Sequence, residues 1–63
     1  MNMKELATSL SERDGSDISD AMDSIRVCQS EVDACLAEGR IDDIEDALMD
    51  ILGIEMDYLD IFL

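Results

Sequence analysis

The sequence predicts an all-α protein: a small helical hairpin with short flanking helices, completed as a dimeric helical bundle. Three observations carry that expectation. Apolar residues recur at intervals of three and four through most of the 63 positions, the spacing of one helical face. Proline is missing, and each of the three glycines closes one such stretch. Nowhere does the chain alternate apolar and polar residues as a half-buried strand does.

Taken in order, Met3, Leu6, Ala7 and Leu10 mark a short first helix, and the polar run Ser11–Ser16 around Gly15 reads as the turn that ends it. The second stripe is the longest: Ile18, Ala21, Ile25, Cys28, Val32 and Cys35, with Met22 and Leu36 beside it. It predicts a helix of about twenty residues, with Ser16 or Asp17 capping its start and Gly39 ending it in a left-handed conformation. Ile41, Ile44, Leu48, Ile51 and Leu52 form a third stripe, with Asp42 as its candidate N-cap, and Ile54 is placed to touch Met49 behind Gly53. Glu55 to Leu63 is a short helix or an apolar tail, able to cap on Glu55 or Asp57. The two longer helices would fold back through the Gly39–Arg40 turn, with Ile25, Val32, Ile44, Leu48 and Ile51 in the core.

So short a chain buries only roughly 60% of the surface its unfolded form exposes, and small domains are commonly helped by disulfides, metal or association. Cys28 and Cys35, seven residues apart on one helix, would stand about 10.5 Å from each other, beyond the roughly 7 Å that a disulfide spans. With no histidine and only two thiols, a closed four-ligand zinc site would need carboxylates or ligands from another chain. Association remains, and a homo-oligomer is the expectation.

Charge is the most informative property. Seventeen acidic residues face four basic ones, a net charge of −13, and after Arg40 no basic residue occurs among eight acids. Asp42, Asp46 and Asp50 repeat at i, i+4, about 6 Å apart along one helix face. Each such like-charge pair opposes the helix by a few tenths of a kcal/mol. Asp17, Asp20 and Asp23 form a second row near a helix N-terminus, where the dipole favours negative charge. A solvated face that keeps the chain dispersed accounts for part of this charge. The rest fits carboxylates that imitate spaced phosphates and occupy a basic nucleic-acid-binding surface.

Other chemistries find less support. In Asp14–Asp20 a glycine stands second and Ile18 fifth, where a calcium loop needs an oxygen at the fifth position and its glycine at the sixth. Asp23-Ser24-Ile25 matches two of three residues of the Asp-Ser-Leu site of acyl carrier proteins, but lies inside the longest stripe instead of at a helix start. Lys4, Arg13, Arg26 and Arg40 are scattered, and without histidine no base-activated nucleophile assembles. Cys28 and Cys35 sit on the apolar stripe among acids that raise a thiol pKa. No enzyme activity and no cofactor is expected.

In size and composition the chain resembles the small acidic inhibitors of phages and mobile elements, such as the anti-CRISPR and anti-restriction proteins that mimic DNA. That resemblance implies a non-enzymatic inhibitor or regulator, whose basic partner binds nucleic acid while the chain itself does not. The expected contact residues, taken from charge spacing, are Asp42, Asp43, Asp46 and Asp50, extended by Asp57 and Asp60. The alternative is a small homo-oligomeric structural or regulatory protein whose acidity serves solubility. No apolar run reaches the 18 residues of a membrane span, and no secretory pattern opens the sequence, so the expectation is cytoplasmic.

Overall fold

A computed structural model describes residues 2–63 and contains, among them, four helices and no strands. Helix α1 (Met3–Asp14) opens on Asn2, whose side-chain oxygen accepts the Glu5 backbone N–H at 2.9 Å and satisfies one of the donors that a helix start leaves unpaired. It does not stop at Ser11. The polar residues to Asp14 form one further turn, with Arg13 in the last turn, where a cation suits the helix dipole. The turn behind it is tied by Ser16 N–H donating to the Ser11 carbonyl at 3.1 Å and by the Ser11 hydroxyl donating to the Ser16 carbonyl.

Helix α2 (Ile18–Glu38) is the spine. It buries Ala21, Ile25, Cys28, Val32 and Cys35, the predicted stripe without Ile18, which as the first residue of the helix stays half exposed. Asp17 holds the N-cap position in an extended conformation, but neither it nor Ser16 makes the expected side-chain cap bond to the helix. At the other end Gly39 takes φ 73°, a backbone region that other residues adopt at a cost. Its N–H reaches the Leu36 carbonyl at 3.3 Å while that of Arg40 reaches Cys35 at 2.8 Å, the two bonds of a Schellman turn.

That tight turn starts helix α3 (Ile41–Ala47) immediately, with Arg40 in the N-cap position and no side-chain cap bond. Asp42 is therefore no cap. It lies with Asp43 in the first helical turn, which the dipole favours for carboxylates. Helix α3 runs without a break into a wider π-helical stretch (Leu48–Leu52) closed by Gly53 at φ 63°. The wide turn has a reason in the side chains. Ile44, Leu48 and Leu52 are spaced by four, and a turn longer than 3.6 residues brings Leu52 into line with the other two. Leu52 is accordingly buried, whereas Ile51, expected in the core, is only partly so. Ile54 enters the core and its N–H reaches Leu48, while Met49, its expected contact, points outward. Helix α4 (Met56–Phe62) is a 3₁₀ helix behind Glu55, which makes no side-chain cap bond. It buries Phe62, and the Gln29 side chain holds its end by donating to the Phe62 carbonyl at 2.9 Å.

Helix α2 packs against α1, α3 and the π stretch. The flanking pieces are thus structural partners, since α1 supplies Leu6, Ala7 and Leu10 to the same core as Ile25, Val32, Ile44 and Leu48. The radius of gyration is 11.2 Å, close to the ~10.6 Å expected of a compact chain this long. Among the described residues no polar or charged residue is buried. Among the described residues no helix is long and apolar enough to cross a membrane.

Candidate acidic interaction surface

Because the core takes only apolar side chains, all seventeen carboxylates are on the surface. Among the described residues four of them are held in ion pairs: Asp14 with Arg13, Asp23 with Arg26, and both Glu38 and Asp43 with Arg40. Among the described residues the other carboxylates make no ion pair.

One part of this surface is shaped. Folding α3 back along α2 leaves a shallow groove lined by Glu31 of α2, by Asp43, Asp46 and Asp50 of α3 and its π extension, by Arg40, and by Ala47 and Ile51 as apolar lining. Four carboxylates against one guanidinium give it a net charge of −3 (−4 + 1). Arg40 is itself committed: its Nη1 donates to Asp43 at 3.0 Å and its Nη2 to Glu38 at 2.6 Å. Those two bonds, Glu38 first, raise the guanidinium pKa, so Arg40 is a fixed positive charge that partly neutralises one end of the groove.

Of the six carboxylates expected from charge spacing, the groove brings together Asp43, Asp46 and Asp50. Asp42 is exposed outside its lining, and Asp57 and Asp60 are exposed on α4. Glu31 was missed by sequence reasoning. Nothing in its own neighbourhood singles it out, because it joins the others only through the α2–α3 turn. The chain matches no family model, no curated protein and no solved structure. The residues alone carry the reading.

Near the groove, Cys28 is wholly buried and its thiol is pushed up to about 11 by burial, with the charge of Glu31 adding to the effect. Such a thiol stays protonated and unreactive near neutral pH. Cys35 is buried as well, and neither cysteine is in a disulfide. Among the described residues no group of three or more carboxylates or thiols converges as a metal site would.

A second depression lies where the ends of α1, α2 and the π stretch meet, lined by Leu10, Arg13, Asp20, Ala21, Ser24 and Ile51 among others. Arg13 bridges it. Its guanidinium grips Asp14 at 2.9 and 3.0 Å, and also donates to the Leu52 carbonyl at 2.8 Å and that of Gly53 at 3.2 Å. The hydrogen bond between Arg13 and Asp14 lowers the carboxyl pKa and raises that of the guanidinium. Arg13 thus closes the fold instead of presenting charge to a partner.

Proposed function

We propose that this chain is a non-catalytic binding protein whose acidic α2–α3 groove and neighbouring carboxylates occupy the basic nucleic-acid-binding surface of another protein. The observation that carries this reading is the grouping of Glu31, Asp43, Asp46 and Asp50 around a lining of Ala47 and Ile51. A lysine or arginine side chain has that same division, an alkyl stem that prefers apolar contact and a cationic head that prefers carboxylates. Helical carboxylates beyond the groove, Asp42 on α3 and Asp57 and Asp60 on α4, extend the charge to neighbouring basic residues of the partner. Electrostatic steering makes such an encounter fast and salt-sensitive. The inhibitor of the phage type is the specific form of this proposal, and the cytoplasm is the compartment it proposes.

The test begins with capture of partners from a lysate of the source organism on the immobilised chain. The reading expects a nucleic-acid-binding protein, released by salt, with affinity falling at least about tenfold between about 50 and 200 mM salt. It also expects the partner to lose its nucleic acid when saturated with this chain. A partner that keeps its nucleic acid at saturation refutes it.

A homo-oligomer whose acidity serves solubility is the second reading. It draws on Leu36 and Ile41, which flank the Gly39–Arg40 turn and are 41% and 51% exposed. Light scattering at high micromolar concentration tests this second reading: it expects at least twice the 7.0 kDa chain mass, and a monomer refutes it.

A further inference from the structure

The five-residue π stretch is the least ordinary part of the backbone, and π-helical turns are rare and concentrated at functional sites. Three observations bear on why it is there. First, Ile51 and Leu52 are adjacent apolar residues of which the wide turn buries Leu52, leaving Ile51 between the groove and the second depression. A turn of 3.6 residues would rotate Ile51 inward and Leu52 outward, so the sequence supplies an apolar residue for the core in either register. Second, the Gly53 N–H donates to the Met49 carbonyl at 3.0 Å, the acceptor of the α register, although the stretch is π-helical, and is directed also at Leu48, the acceptor of the π register. Third, Arg13 holds the carbonyls of Leu52 and Gly53 from across the chain, with its guanidinium oriented by Asp14.

We propose that Leu48–Leu52 is a two-register helical element, held in its wide register by Arg13, and that the register decides whether Ile51 lines the acidic groove or enters the core. In the wide register Ile51 offers the groove its larger apolar contact. In the tight register the groove keeps Ala47 alone and loses the surface on which an alkyl stem would rest. The consequence for binding rests on the function proposed above; the register itself does not.

Two measurements decide it without a partner. In the parent chain, scalar couplings across the hydrogen bond of Gly53 N–H should appear to both the Leu48 and the Met49 carbonyl carbons; coupling to one of them alone overturns the proposal. The second compares alanine substitutions in two backgrounds. In the parent, Leu52→Ala should lower Tm at least about 5 °C more than Ile51→Ala, because it empties a buried position and Ile51 is only partly covered. In the Arg13→Gln background that gap should close or reverse, as Ile51 takes over the core position. An unchanged gap overturns the proposal. Should Arg13→Gln fail to fold, Arg13→Lys, which keeps the charge and loses the grip on two carbonyls, takes its place in the comparison. A chain that passes both tests yet displaces no nucleic acid from any partner refutes the charge-mimicry reading and leaves the register intact.

Discussion

Residues 1–40 and residues 41–63 are built on the same principle and differ in charge and regularity. The first region carries nine acids with all four basic residues and forms two regular α-helices; the second carries eight acids with no basic residue and forms one α-helix with a π extension and a separate 3₁₀ helix. Both supply the core, the first through Leu6, Ile25, Cys28 and Val32, the second through Ile44, Leu48, Leu52, Ile54 and Phe62. Stability and charge are therefore separable in this molecule. The buried stripes hold the fold, and the carboxylates ride outside it; apart from Asp14, which orients Arg13 against the Leu52 and Gly53 carbonyls, changing them leaves the core untouched.

The separation breaks most visibly if charge is forced inward. Ile25→Asp places an unpaired carboxylate at a position with no exposure and should cost several kcal/mol, enough to unfold so small a domain. Circular dichroism at 25 °C should show the helical signal lost. The milder Leu48→Ala should cost about 2–5 kcal/mol, read as an earlier urea midpoint. If either chain melts like the parent, the core has been misplaced.

High pH probes the same border from inside. An unfolded thiol ionises near pH 9.0, whereas folded Cys28 keeps its proton to about 11. Above pH 9 the folded chain thus binds more protons than the unfolded one, so the stability contributed by Cys28 is complete below about 9 and is lost as pH rises toward 11. Replacing Cys28 with alanine should flatten the fall in urea midpoint over that window. An equally steep fall in the substituted chain would show that Cys28 does not set it.

The smallest effect on stability has the opposite sign. Converting Asp42, Asp46 and Asp50 together to Asn removes two like-charge i, i+4 pairs, each worth a few tenths of a kcal/mol, and should stabilise the chain at low salt by what remains after the favourable place of Asp42 in the first turn of α3 is lost. The gain should shrink as salt is added. A triple variant that melts earlier than the parent at low salt would mean that these carboxylates support the fold, and the two regions would not be separable after all.

What the sequence made legible follows from the range of its signals. The stripes of α1 and α2 and the Gly39 turn rest on spacing within one helix and on a glycine, both local, and both are present in the fold. The helical end from Ser11 to Asp14 reads as a turn because its residues are polar, yet polar residues also continue a helix whose outer side is wet, and Arg13 among them reaches Leu52 and Gly53, 39 and 40 residues on. The π stretch was invisible because Ile51 and Leu52 fit a core equally well on pattern alone. Likewise Glu31 entered the groove only once α3 had folded back on α2, while Asp42, in perfect register with Asp46 and Asp50, fell outside it.

The central claim is that the grouped carboxylates bind what nucleic acid binds. Its most direct measurement is displacement of labelled nucleic acid from the captured partner, comparing the parent with a chain in which Glu31 is Gln and Asp43, Asp46 and Asp50 are Asn. The account predicts that the parent displaces the label and that the substituted chain, folded by circular dichroism, needs at least about ten times the concentration, or ~1.4 kcal/mol, at about 100 mM salt. Equal displacement by the two chains would contradict it.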